Sequence, residues 1–234
     1  PHLQDPSKKD KSWKWDELLV DCGMPADKLR ELVRVGDVIS FDRRAVGLAN
    51  DRIAGKSMDD RAGIAVMYEA ARELQKLTHE CDVFFVATVQ EEVGYGGSIT
   101  STFGIAPDIG IAIDVGHATM PGLPEHKVLK MGSGPAISFG PHVHPHIFGK
   151  LKEIAEDRGI RYQLEPGTNP RGTDAYAMQM TRSGVATGLI SVPLRYMHTS
   201  VETLAFDDVK KSGQLLAHFA SAVDSRFREG LTCF

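Results

Sequence analysis

Hydrophobic residues are spaced in two different ways along this chain, and the change falls near residue 63. Before it the apolar stretches are short. "DELLVDCG" (16–23) is an apolar run that stops at a glycine and predicts a short strand. "PADKLRELV" (25–33) has Pro and Asp near its start and Leu29, Leu32 and Val33 on one face, which predicts a short helix. "VGDVISFD" (35–42) alternates as a half-buried strand does. A stretch rich in turn formers and charge follows, "DRRAVGLANDRIAGKSMDDRAG" (42–63).

Beyond Gly63 helical stripes alternate with continuous apolar runs. "AGIAVMYEAARELQKL" (62–77) carries Ile64, Met67, Ala71 and Leu74 at helical spacing. "DVFFVATV" (82–89), "DIGIAIDV" (108–115), "GPAISFG" (134–140) and "GVATGLISVP" (184–193) are apolar throughout and bounded by Gly, Pro or charge. Strands buried on both faces read this way. "HIFGKLKEIAEDRG", "TDAYAMQMTRSG" and "DDVKKSGQLLAHFASAVDSRF" predict the helices that cover those faces. The expected architecture is α/β, a mainly parallel sheet between helices from about Asp51 onward.

That architecture gives the polar residues a common address. "VFFVATVQ" runs into Glu91 and Glu92, "DIGIAID" into Asp114, and "GLISVPLRYMHTS" into Arg195 and His198. Asp59 and Asp60 stand just before a helix, whose first amides favour anions. In open α/β sheets the carboxyl ends of the strands form the ligand crevice. Carboxylates sharing a crevice raise one another's pKa, so some must be protonated or a cation must sit among them. Mixed Asp, Glu and His donors suit zinc, cobalt or manganese better than calcium. Two ions about 3.5–4 Å apart need a bridging carboxylate with terminal ligands on either side. Of the adjacent Glu91 and Glu92, one side chain is expected to ligate and its neighbour to move a proton.

Composition narrows the partners. The 234 residues are 42% hydrophobic and 25% charged, enough for one sizeable core or one domain with a smaller appendage. A net charge of −4 argues against nucleic acid or an anionic membrane as the main partner. No apolar run approaches the roughly 20 residues that span a bilayer, and no secretion signal precedes the first polar stretch. Cys22, Cys81 and Cys233 are odd in number and lack metal-type spacing, which predicts a reduced, cytoplasmic protein.

In order along the chain, "MDDRAG", "VQEEVGYGG", "IDVGHATMPG", "GTDA" and "VPLRYMHTSVE" resemble the motifs of the M42 family of dinuclear metallo-aminopeptidases, some members of which carry the name endoglucanase. The resemblance spans essentially the whole chain. It implies that Asp59 bridges two divalent ions, zinc or cobalt, with Asp60 as its orienting catalytic neighbour. Glu91 is then the general base and Glu92 a terminal ligand of one metal. Asp114 is a terminal ligand of the other, and His198 joins Glu92 on its side. The implied reaction removes N-terminal residues from peptides by attack of a metal-bridging hydroxide, in a homo-oligomer of dimers building a dodecamer.

The implied fold has a small β-rich dimerisation domain inserted in the catalytic domain. Residues 1–45 resemble the end of that insertion, and 46–234 the catalytic domain without its first strands. The family's first ligand, a His in a His-x-Asp motif, has no counterpart before Asp59, where His2 is the sole histidine. With Asp114 and the bridge alone on one side, weak or absent activity is expected of the chain. "PRGTDA" carries Arg171 where the family has Gly. Two readings compete with the aminopeptidase. One is a glycoside hydrolase, which works with two carboxylates and no metal. The other is a non-catalytic fragment with an incomplete metal site. "GPHVHPHIFG" places His142, His144 and His146 at alternate positions, expected in a surface loop or pocket wall rather than as ligands.

Overall fold

A computed structural model describes residues 14–167 and 172–231. Arg171, His2 and Cys233 lie outside these. The chain divides into two compact units, Pro1–Phe41 and Asp42–Phe234.

In the first unit the described residues hold a 3-10 turn at Trp15–Glu17 and helix α1 (Ala26–Leu32). The helix forms where its pattern predicts. The two strands expected at 16–23 and 35–42 do not: among the described residues both stretches are irregular, with Leu19, Val35 and Val38 almost fully exposed. Strand propensity registers the fit to a half-buried pleated surface. Among the described residues of this unit no partner strand lies beside them.

In the second unit the described residues form seven strands in one sheet. A hairpin comes first, β1 (Val46–Leu48) and β2 (Arg52–Gly55), inside the stretch that reads as turns. Asn50 and Asp51 take left-handed φ values of 60° and 57° in its loop, the geometry Asn and Asp tolerate best. Helix α2 (Met58–Leu74) follows, then α3 (Gly96–Ile105), β3 (Ile109–His117) and β4 (Ala136–Phe139). Next come α4 (Pro145–Asp157), β5 (Gln163–Pro166), α5 (Asp174–Gln179) and β6 (Ala186–Arg195). The last elements are β7 (Glu202–Ala205), α6 (Phe206–Ala222) and α7 (Ser225–Glu229).

The sheet is mixed rather than mainly parallel. Its order is β1-β2-β7-β6-β4-β5, with β3 on the other edge of β6. β3 with β6 and β4 with β5 run parallel; the other four pairings are antiparallel. Continuous apolar runs report burial on both faces and are silent on direction. The short β1–β2 and β6–β7 connections enforce antiparallel pairing, because a parallel return needs a crossover of about a dozen residues or more.

Strand β6 is the centre of the core, buried at every position but its ends. Ile190, Val192 and Leu194 face Val66 of α2 and Val209, Leu215 and Phe219 of α6, while Leu189 faces Val143 and Ala175 on the other side. Each such Leu, Ile or Val contributes roughly 1.5–3 kcal/mol by leaving water. α2 buries Ala62, Val66, Ala70 and Leu74; of the expected stripe Leu74 is buried, Met67 and Ala71 are half-buried, and Ile64 remains 46% exposed.

"DVFFVATV" is not a strand. It is irregular and lines an 850 Å³ cavity together with Ile64, Met67, Ile111 and Ile113. Phe84 and Val89 are 64% and 65% exposed. Among the described residues the outer edge of β3 carries no strand, and strand geometry requires that ladder.

Candidate metal centre

Two acidic residues begin the site at the N-terminus of α2. Asp59 and Asp60 take non-helical backbone angles, so regular helix starts after them and both carboxylates lie at its positive end. Asp60 folds back, its Oδ1 accepting the N–H of Gly63 at 2.8 Å.

Glu91 and Glu92 sit on a 3-10 turn, Glu91–Val93, reached through Gln90 at φ 65°. Two bonds fix this turn to the start of α3: the N–H of Tyr95 to the Gln90 carbonyl at 2.7 Å, and that of Gly97 to the Val89 carbonyl at 2.8 Å. A Cβ on Gly97 would lie 2.3 Å from the backbone nitrogen of Val89, so only glycine permits that approach. This explains the last glycine of the "GYGG" that follows the glutamates.

Asp114 lies within β3 rather than at its end, in register with Ser191 of β6, and its Oδ1 accepts its neighbour Val115's N–H at 2.7 Å. His198 stands in the connection between β6 and β7, at φ 63°. Ser57, Gln90, Tyr95 and His198 are thus four non-glycine residues in left-handed conformations around one site. Such strain, on the order of 1 kcal/mol or more each, persists only where surrounding bonds hold it.

These segments converge. Single donor atoms of Asp59, Glu92 and His198 all lie within 4.8 Å of one another. His198 Nε2 is 3.1 Å from Asp59 Oδ2 and 3.5 Å from Glu92 Oε2. Asp59 is half-buried, Glu92 and His198 exposed. Asp114 stands outside this trio and acts on the site through its charge.

The electrostatics are those of crowded acids. Burial first, then the Glu92 charge, pushes Asp59 up to about 6, while His198 pulls it down. Burial and the Asp114 charge push Asp60 to about 9, against the Gly63 hydrogen bond. Asp114 rises to about 8, again mainly by burial, with Glu91, Asp59 and Asp174 adding to it. Glu91 reaches about 7 through burial, then Glu92 and Asp174. Two oxygens and an imidazole nitrogen at such spacing, amid carboxyls that repel one another, are a donor set a divalent transition-metal ion fits.

Two further acids belong to this neighbourhood, Asp174 of the "GTDA" motif and Glu202, of which sequence reading leaves aside only the second. Asp174 at the start of α5 accepts Thr88's hydroxyl at 2.6 Å, and its other oxygen is buried without a hydrogen-bond partner. Glu202, inside the "VPLRYMHTSVE" motif, is buried and accepts main-chain N–H groups from both sides of the cluster.

The histidines of "GPHVHPHIFG" are not in a surface loop. His142 and His144 are 3% and 8% exposed. His144 caps α4, its Nδ1 accepting the N–H of His146, which itself meets the Gly230 carbonyl at 2.8 Å. The first helical turn needs an acceptor ahead of Pro145, and the imidazole supplies it.

Fold and donor cluster together define an α/β protein with a candidate metal centre at the start of α2. The chain belongs to the M42 glutamyl aminopeptidase family, whose profile matches residues 1–215. It is 38% identical over 219 residues to the lysyl aminopeptidase of Pyrococcus furiosus, covering 92% of this chain and 62% of that protein. The solved aminopeptidase APDkam598 from the archaeon Desulfurococcus kamchatkensis superposes with a TM-score of 0.88 at 36% identity, over 99% of this chain and 67% of that one. The PhTET1-12s structure, a dodecamer, gives 0.78 at 30% identity, over 95% and 65%. The chain therefore spans less than two thirds of the length of the curated relative.

Proposed function

We propose that this chain carries the catalytic centre of a metal-dependent aminopeptidase, with Asp59, Glu92 and His198 holding one divalent ion and Asp114 contributing to a second beside it. The observation that carries this reading is the convergence of those first three donors from α2, the 91–93 turn and the β6–β7 connection. A divalent ion bound there, zinc or cobalt by donor chemistry, would supply Lewis acidity toward the scissile carbonyl and a water nucleophile.

The chain's own groups do the rest. Glu91 adjoins the trio yet is not one of its donors, which leaves its carboxylate free to take a proton from water and return it to the leaving amine. A pKa pushed up to about 7 suits both halves of that exchange near neutrality. Asp60, bonded to Gly63, orients the backbone that carries Asp59. The substrates are peptides with a free N-terminus, and the family's relatives support a homo-oligomer. Among the described residues no helix is long and apolar enough to cross a membrane. Cys22 and Cys81 are free thiols, which supports a reducing compartment such as the cytoplasm.

A glycoside hydrolase reading leaves His198 and its contact with Asp59 without a role. The test is hydrolysis of aminoacyl-4-nitroanilides with and without 1,10-phenanthroline, alongside a soluble cellulose substrate. Peptidase activity lost on chelation and restored by zinc or cobalt supports the proposal. Chelator-resistant cleavage of the polysaccharide sinks it. Absence of both activities with tight metal binding would favour the non-catalytic alternative.

A further inference from the structure

Strand β7 opens on Glu202, which is 2% exposed. Its two oxygens are divided between stretches far apart in the sequence. Oε2 accepts the main-chain N–H of Met58 at 2.6 Å and of Asp59 at 3.1 Å. Oε1 accepts the main-chain N–H of His198 at 2.7 Å. Every donor is a backbone group, so these bonds constrain the path of the chain rather than a side-chain rotamer. The two residues so joined, Asp59 and His198, are those whose side chains meet at 3.1 Å.

Four further points give the arrangement its meaning. A carboxylate withdrawn from water is costly to the fold, and an apolar residue would pack there at lower cost, so stability alone does not account for it. Charge-assisted bonds to three N–H groups are the strong kind that offset such a cost. The clamped backbone is also the strained backbone: Ser57, immediately before Met58, has φ 58°, and His198 has φ 63°. Finally, Glu202 is itself fixed in the sheet, in register with Gly55 of β2, two residues before Ser57.

We propose that Glu202 is a positioning residue that presets Asp59 and His198 as a ligand pair before any ion arrives. The inference rests on the metal-site reading above and deepens it. Glu202 is 2% exposed and is not one of the trio's donors, so its part is to place them. Its carboxylate sets the separation of two donor side chains, so that binding an ion does not also have to order the chain that presents them. An amide in its place offers one acceptor and one donor, and its NH₂ would face an N–H on one side of the clamp.

The test uses metal-stripped protein titrated with Co²⁺ alone and followed by visible absorption, for wild type, Glu202→Gln and Glu92→Gln. Glu202→Gln is expected to keep the wild-type circular dichroism, to bind Co²⁺ about 10–100-fold more weakly, and to show an altered ligand-field band. Glu92→Gln reports the loss of a ligand itself and serves as the reference. If Glu202→Gln binds Co²⁺ with wild-type affinity and spectrum, the inference is overturned while the metal reading stands. If wild type fails to bind Co²⁺, both fall. Should Glu202→Gln not fold, hydrogen exchange on metal-free wild type decides: protected amides at Met58, Asp59 and His198 uphold the clamp, and exchange at exposed-loop rates overturns it.

Discussion

Asp60 and Gly63 form an interlocked pair: the Asp60 carboxylate occupies the place a side chain on residue 63 would need. Its Oδ1 accepts the Gly63 N–H at 2.8 Å, and a Cβ there would come within 2.3 Å of Oδ2. The spacing in "MDDRAG" is thus set by contact between the carboxylate and its own helix. Alanine normally favours a helix over glycine by about 1 kcal/mol. At this position Gly63→Ala is expected to do the reverse, destabilising by about 1–3 kcal/mol and weakening metal uptake. Thermal unfolding and Co²⁺ titration check it; a more stable variant with unchanged uptake would contradict the pairing.

On the proposed reading, Glu91→Gln removes the general base and leaves the donors of the trio in place. Turnover is expected to fall about 10²–10⁴-fold with metal content unchanged. Metal analysis of the dialysed variant, beside Glu92→Gln, distinguishes the two glutamates. If Glu91→Gln loses metal and Glu92→Gln keeps it, their roles are exchanged.

Protons compete with metal at this site. Asp59 in the metal-free protein titrates at about 6, so its carboxylate becomes unavailable as pH falls through that value. Co²⁺ affinity is expected to drop steeply below about pH 6 and to level off above it, with protons released on binding in the falling range only. Calorimetry in buffers of different ionisation enthalpy measures that release, and pH-independent affinity between 5 and 7 would rule the coupling out.

His142 and His144 carry a second pH dependence, in stability. Burial holds both imidazoles below their ordinary value of 6.5. As pH drops below about 6.5 the unfolded chain binds protons that the fold resists. The contribution is complete above that pH and is lost as pH falls through the lowered folded values. His144→Asn keeps an α4 cap acceptor while removing the titration. Combined with His142→Gln, it should flatten the fall of Tm between pH 7.5 and 5, and an unchanged slope would place the acid sensitivity elsewhere.

Leu215 of α6 is fully buried against the central sheet. Leu215→Ala is expected to cost about 2–5 kcal/mol through lost burial and the cavity left behind. Urea unfolding measures it directly.

The sequence by itself pointed to the candidate site residues and determined much of the local structure. Asp59, Glu91, Glu92, Asp114 and His198 are visible as charges bordering apolar segments, and the helices α1, α2, α4 and α6 follow from apolar spacing and caps, which are local properties. α3 has no counterpart among the expected helices, its glycines and threonines being weak helix formers. Only the tertiary structure decided what depends on partners. Strand direction follows from connection geometry, not from hydrophobicity, so an apolar run in β6 looks the same beside parallel β3 or antiparallel β7. The 82–89 stretch has strand-forming residues yet stays outside the sheet, since a ladder needs a second chain segment beside it. Which donors meet is likewise non-local: Asp59, Glu92 and His198 close within 4.8 Å while Asp114 stands apart. Glu202, whose carboxylate joins residues more than a hundred positions away, has no signature in its own surroundings, because hydrogen bonds to main-chain N–H groups place no demand on the identity of the residues that donate them.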